Sequence, residues 1–412
     1  MPWPVGIILT LALASAPFQW YVLHRTIVAL AAVTGWPKKF IRMVAAAPVI
    51  WVVLYPLLFI GGNALGLVGI SRALQAAQGP VDALIVYPFW IGIVISVQLA
   101  LCLLVIDGAR LILYPLYKKH QLTWIKLQSR LVILTVCLVS IYALARIYLD
   151  TFTVHTRQIE FHVADLPREL DGFRIVQISD MHADPRTGDR KLLPYVDMIN
   201  SLKPDLILFG GDLVSSGTGF IEKGASVMGK MEARHGVYAC LGDHDHFSDK
   251  EMVTQSLQKN GVTVLDNLAT VVPVGATYLS LTGITNVYRS RPSSGTLDTI
   301  EHQRLHGPVN ILLTHQPSPG LVGFAADNGY NLFVGGHTHG GQIAFPLPWF
   351  LLTGSSFETH YVSGPYQVGS MLVSINNGLG LTLAPIRYQA PAEVTLLVLR
   401  PQSDDSKPTS SS

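Results

Sequence analysis

Cysteine and charge are both scarce in this chain. Three cysteines in 412 residues cannot form a disulfide framework. Cys102 and Cys137 lie in apolar stretches and Cys240 stands alone in the polar half, so that half has neither an internal bridge nor the Cys cluster of a zinc ribbon or iron–sulfur centre. Charged residues make up 14% against 49% hydrophobic, which excludes a disordered chain and is too apolar for an ordinary soluble enzyme. The charge is also unevenly spread. Residues 1–150 hold 11 Lys/Arg and 3 Asp/Glu, whereas the remainder holds 18 and 24. The basic excess sits among apolar segments and the polar half is acidic, so no nucleic-acid partner is expected.

What is present in the first half is apolar sequence long enough to cross a bilayer, for which about 20 residues suffice. Trp3 to Leu23, extendable through Ala32, Met43 to Gly62, Leu84 to Ile106 and Leu131 to Leu149 predict about four transmembrane helices. Ala14-Ser15-Ala16 reads like a signal-peptidase site, but there is no basic segment before it and Pro17 follows directly, so a retained anchor is expected. Lys38, Lys39 and Arg42, and then Arg110, Lys118, Lys119, Lys126 and Arg130, predict two cytoplasmic loops. An integral protein of the cell membrane with its polar half on the extracytoplasmic side follows. Arg25 and Arg146 are almost the only charges expected within the spans, which argues against a transporter.

The polar half, 151–400, alternates short β-rich runs with helical ones and predicts an α/β domain, with residues 401–412 as a disordered tail. Five strand-like runs end in polar residues: Phe173 to Ile178 before Asp180 and His182, Asp205 to Phe209 before Asp212, Gly236 to Leu241 before Asp243-His244-Asp245, Val309 to Leu313 before His315, and Asn331 to Val334 before His337-Thr338-His339. In open α/β sheets ligands collect outside the carboxyl ends of strands. Asp180, His182, Asp212, Asp243, His315, His337 and His339 are more donors than one metal ordinarily takes, so two divalent ions are expected. Carboxylate and imidazole suit Zn, Mn or Fe. Two such ions can generate hydroxide at neutral pH and clamp a phosphoryl centre, which makes phosphate-ester hydrolysis the expected chemistry. Asp180 and Asp212 could alternatively cap helices. Asp245 could orient His244 or simply occupy a turn, and His235, His246, His302, His306 and His360 are expected in loops or at the surface.

Asp180-x-His182, Gly211-Asp212, Gly242-Asp243-His244-Asp245, His315 and Gly336-His337-Thr338-His339 resemble, in order, the five blocks of the calcineurin-like metallophosphoesterases. The resemblance spans about residues 170 to 395 and looks closest to bacterial members with N-terminal membrane helices. It implies two β-sheets sandwiched between helices, one metal on Asp180, His182 and His339, a second on Asp243, His315 and His337, and Asp212 bridging them. It also implies that His244 acts near the leaving group, and that a hydroxide between the metals attacks phosphorus. The usual residue at 243 in such proteins is Asn. Asp243 is expected still to coordinate through one oxygen, raising metal affinity while lowering Lewis acidity. The function implied is a membrane-anchored phosphodiesterase or phosphatase, with a lipid or lipid-linked phosphate ester as a reasonable substrate. The alternative is a catalytically weakened metal- or ligand-binding membrane sensor.

Overall fold

The computed structural model describes residues 3–75 and 79–402. They fall into two compact units, one ending at Thr151 and taking in Leu383–Tyr388, the other running over Phe152–Thr382 and resuming at Gln389.

The first unit is helical: α1 (Trp3–Thr34), α2 (Lys38–Ala64), α3 (Val68–Gln75), α4 (Tyr87–Tyr117) and α5 (Gln121–Phe152). Among the described residues three segments are long and apolar enough to cross a membrane, Pro4–Thr34, Lys38–Ala64 and Asp82–Phe152, against the four expected. The difference lies in the third. It contains both predicted spans, 84–106 and 131–149, and its α4 and α5 are joined by a single 3-10 turn, Lys118–His120, so that most of the basic stretch expected as a loop is helix. The segment nevertheless folds back: Gln128 Nε2 donates to Asp107 Oδ1 at 3.2 Å, and Tyr117 stacks on Trp124 across the turn. Asp107, one residue beyond a predicted span, also pairs with Arg25 and accepts from Tyr21 at 2.7 Å. The helical interior therefore carries a compensated ion pair where sequence showed only an arginine. The return segment supplies Arg387, whose amide donates to Thr151 Oγ1 at 2.9 Å. It is a contribution from the polar half that a boundary drawn at 150 omits.

Among its described residues the second unit holds fourteen strands: β1 (Val154–Val163), β2 (Arg174–Ile178), β3 (Leu206–Phe209), β4 (Val237–Ala239), β5 (Val262–Val264), β6 (Leu268–Val274), β7 (Thr277–Ile284), β8 (Val309–Thr314), β9 (Leu332–Gly335), β10 (Phe345–Pro346), β11 (Leu351–Leu352), β12 (Gly364–Val368), β13 (Met371–Ile375) and β14 (Ala392–Pro401). One sheet has the order β1-β14-β2-β3-β4-β5, the other β12-β13-β9-β8-β7-β6, and β10-β11 is a small hairpin. Pro401, expected in the tail, closes β14 opposite Val163; residues 403–412 of that tail lie outside the described residues.

Strand periodicity explains the layering. Side chains alternate faces along a strand. Ile175, Leu206 and Leu208 of the first sheet meet Leu281, Ile311 and Leu332 of the second in one core, while Val176, Ile207 and Phe209 pack under Leu192, Ile199, Ala225 and Leu257 of the helices outside. On the far side Leu312, Phe333 and Val373 pack under Ile300, Leu321 and Ala325. Both faces of each sheet are covered, so the central strands read as continuous apolar runs rather than alternating ones. This is the expected pair of β-sheets between helices.

Candidate metal centre

All the predicted donors emerge from the C-terminal ends of parallel strands. Asp180 and His182 follow β2, Asp212 follows β3, Asp243 and His244 open the short helix after β4, His315 follows β8, and His337 and His339 follow β9. The first sheet thus supplies one half of the cluster and the second sheet the other. Five of these residues, Asp180, His182, Asp212, His337 and His339, have φ between 47° and 70°. Side chains other than glycine rarely adopt this left-handed region, and its concentration here marks strain held by the surroundings. Glycines make the space: a Cβ on Gly242 would lie 2.2 Å from Asp212 Oδ1, and Gly211 has φ +88° with the backbone of Gly242 against it.

The donor atoms form two groups. In one, His339 Nε2 lies 3.3 Å from Asp180 Oδ1 and 3.1 Å from His182 Nε2. In the other, His337 Nδ1 and His315 Nε2 lie 3.1 Å and 3.5 Å from Asp243 Oδ2. Asp212 Oδ2 stands between them, 3.6 Å from His182 Nε2 and 3.3 Å from His315 Nε2. Each group can hold a cation, with ligand atoms that lie within 4.8 Å of one another. The donor chemistry fits a metal as well. Asp180 Oδ1 and His315 Nε2 are buried without a hydrogen-bond partner, an expensive arrangement unless an ion takes the lone pairs.

Tautomers follow from the outer contacts. His315 Nδ1 lies 2.7 Å from the Gly210 carbonyl, which only accepts, so Nδ1 carries the proton and Nε2 offers a lone pair to the centre. By the same reasoning His244 Nδ1 donates to the Ser215 carbonyl at 2.5 Å. His337 turns the other way, with Nε2 3.0 Å from Glu358 Oε2 and Nδ1 towards Asp243.

The electrostatics without a cation show how tightly acids and imidazoles are matched. Burial alone would raise the Asp180 and Asp212 carboxyls, but His339 beside the first and His315 beside the second hold both below the usual range. Burial would lower His315 and His337, yet neighbouring carboxylates lift His315 well above its ordinary value and His337 to about 9. His182 is lowered, by burial first and by His244 next.

Asp245 neither orients His244 nor idles in a turn. Its Oδ2 accepts the amides of Asp212 and Gly242 at 2.9 and 3.0 Å and its Oδ1 that of Leu213 at 2.9 Å. Burial and the Asp212 charge push its carboxyl up to about 7. His302, His306 and His360 are exposed as expected, whereas His235 and His246 are half-buried, the former with its ring against Phe173.

Several contributors carried no sequence signal that singled them out. Gln316 Nε2 donates to Asp243 Oδ2 and the Tyr288 amide to Asp243 Oδ1, both at 2.7 Å. Tyr288 Oη donates to Glu358 at 2.6 Å. The Asn376-Asn377-Gly378-Leu379-Gly380 turn after β13 also reaches the site, where the Gly380 amide donates to the Asp180 carbonyl at 2.7 Å. A glycine-rich turn after the apolar run Met371–Ile375 is the one signal that could have found it.

A calcineurin-like phosphoesterase family model matches residues 173–341, the stretch that carries every donor above. The metallophosphoesterase YkuE of Bacillus subtilis (strain 168) is 31% identical over 264 residues, covering 63% of this chain and 90% of YkuE. The chain belongs to the calcineurin-like phosphoesterases. It is a hydrolase of phosphate esters. A transmembrane protein with metallophosphoesterase domain from Danio rerio is 31% identical over 252 residues, and the chain spans 56% of that relative's length. Phosphodiesterase YaeI of Escherichia coli (strain K12) is 27% identical over 235 residues, 55% of this chain and 82% of YaeI. Membership in this phosphoesterase family accounts for the pairing of a carboxylate-imidazole cluster with strand ends from two sheets.

Proposed function

We propose that the protein is a membrane-anchored phosphohydrolase working with two divalent cations, Mn, Zn or Fe, and that its substrate is a phosphate ester of a lipid or lipid-linked molecule. The observation that carries the reading is the position of Asp212 Oδ2, within 3.6 Å of His182 Nε2 and 3.3 Å of His315 Nε2, where one carboxylate can serve both donor groups. Asp180, His182 and His339 would hold the first cation and Asp243, His315 and His337 the second, with Asp212 placed to serve both. When bound, the cations would supply Lewis-acid charge to the phosphoryl oxygens and lower the pKa of water.

The remaining chemistry belongs to the chain. His244 Nδ1 is committed to the Ser215 carbonyl, so a proton can pass from this residue to a departing oxygen only from Nε2 and only in the doubly protonated ring. The His244 amide donates to Asp212 Oδ1 at 2.8 Å, which ties the position of the proton donor to that of the bridging carboxylate. Apolar helices in the same chain confine the domain to a layer at the bilayer, raising its effective concentration towards lipid esters. The basic residues around Lys38 to Arg42 and Arg110 to Arg130 support a cytoplasmic position for those segments and an extracytoplasmic one for the second unit.

The test is metal content by mass spectrometry together with hydrolysis of a chromogenic phosphodiester by the full-length protein loaded with Mn²⁺ or Zn²⁺. Two cations per chain and turnover that Asp212→Ala abolishes are expected; two cations without turnover would instead favour a sensor. Protease accessibility in intact against lysed cells checks the side of the membrane.

A further inference from the structure

The hairpin β10–β11 and the 3-10 turn Gly354–Phe357 form a segment strapped to the metal-ligand loop. Thr353 Oγ1 donates to the Gly341 carbonyl at 2.8 Å, Ser355 Oγ to the Thr338 carbonyl at 3.0 Å, and Glu358 meets His337 at 3.0 Å. The backbone is therefore fixed beside the site. Three of its aromatic side chains stand out from the domain: Trp349, in the turn closed by the Leu347 amide and Phe350 carbonyl, is 91% exposed, Phe357 is 87% exposed, and Phe350 is also exposed. An anchored segment that presents three large aromatic side chains to water is poorly explained by the domain alone.

The adjoining segment supplies the chemical clue. Tyr288 reaches Glu358 at 2.6 Å, and the next exposed residues along that chain include Arg289 and Arg291. Aromatic rings suit the boundary between headgroups and acyl chains, and arginines suit anionic headgroups. The domain is also continuous with an apolar helix, since α5 ends at Phe152 and β1 begins at Val154.

We infer that Trp349, Phe350 and Phe357, flanked by Arg289 and Arg291, are a docking surface for the interfacial layer of an anionic bilayer, placing lipid headgroups beside the metal centre. The inference rests on the membrane-anchored reading above and adds the surface through which the domain meets lipid. The aromatic rings enter the headgroup–acyl boundary while the guanidinium groups pair with lipid phosphates.

Full-length protein in phosphatidylcholine–phosphatidylglycerol nanodiscs, prepared with lipids brominated near the carbonyl end of the acyl chain, tests this directly. Trp349 is one of seven tryptophans, so its emission is obtained as the difference between wild type and Trp349→Phe. At least twofold quenching of that component is expected. Arg289→Gln/Arg291→Gln should reduce the quenching, and discs of phosphatidylcholine alone should show less of it. A component that emits like a water-exposed tryptophan overturns the inference. So does one shielded only as protein concentration rises, which would mean a second copy of the chain covers the surface. Turnover of the soluble chromogenic diester in the same discs, expected to be unchanged in Trp349→Phe, reports folding and tests the phosphohydrolase reading separately: quenching without turnover sinks that reading alone, and turnover without quenching sinks only the docking surface.

Discussion

Asp245 holds the backbone of Asp212 in place: its Oδ2 accepts the Asp212 amide at 2.9 Å while its Oδ1 takes the next amide, that of Leu213, at 2.9 Å. The residue whose carboxylate stands between the two donor groups is thus fixed in a left-handed conformation, φ 59°, by a second buried acid. Asp245 also accepts from Gly242, which leads into Asp243 and His244. One carboxylate therefore organises loops from two strands.

Asp245→Asn tests that role. An amide has one accepting oxygen, so its NH2 must face at least one of the three buried N–H groups, leaving a donor unsatisfied at a cost of about 1–3 kcal/mol. Denaturant unfolding should show that loss of stability, accompanied by weaker binding of both cations. Retention of wild-type stability would mean that the amides find other acceptors.

On the two-cation proposal, Asp212→Asn should reduce bound metal from two to one or fewer per chain. The fall in turnover should exceed the roughly 10–100-fold typical of changes outside the ligand shell. Metal analysis after gel filtration, paired with diester hydrolysis, measures both; a variant that keeps two metals and most of its rate removes Asp212 from the bridge.

For Asp243→Asn the expectation from sequence was a change of charge, but the structure adds a requirement for two acceptors. Oδ1 faces the Tyr288 amide and Oδ2 faces Gln316, each at 2.7 Å. An asparagine must turn its NH2 towards one of those donors in either orientation. Loss of the second cation's affinity by about 10-fold or more is expected, with the first retained. Titration of metal-free protein decides it, and an unchanged second affinity would show that the surrounding donors readjust.

Metal loading should release protons. In metal-free protein the combined contacts of His337 lift it from 6.5 to about 9 against the pull of burial, with Asp243 and Glu358 responsible, and His315 is raised as well. The proton that this favours on His337 must leave its ligating nitrogen for a cation to bind. Calorimetric titration in two buffers of different ionisation enthalpy should therefore reveal release at neutral pH that declines as pH rises through about 9 for His337. The sign for folding is the same: the raised His337 stabilises the metal-free fold fully below 6.5, and that contribution disappears as pH passes 9. Loading with no proton release would mean that the His337 ring is already neutral.

The sequence by itself determined the apolar spans, the α/β character of the second half and the order in which Asp and His residues follow strand-like runs. These are short-range properties: a span is legible from consecutive side chains, and a buried central strand from a run of four to six apolar residues. Tertiary structure decided what no local pattern contains. Only the folded chain brings His182 within 3.1 Å of His339, 157 positions away, and sets Asp212 between donors from two different sheets. Left-handed backbone at five donor positions, the fold-back of α4 onto α5 and the acceptor roles of Asp243 and Asp245 all depend on partners remote in sequence. Their energies come from hydrogen bonds and packing that form only after the sheets are assembled, so the residue types announced the chemistry while the strand order fixed where it can occur.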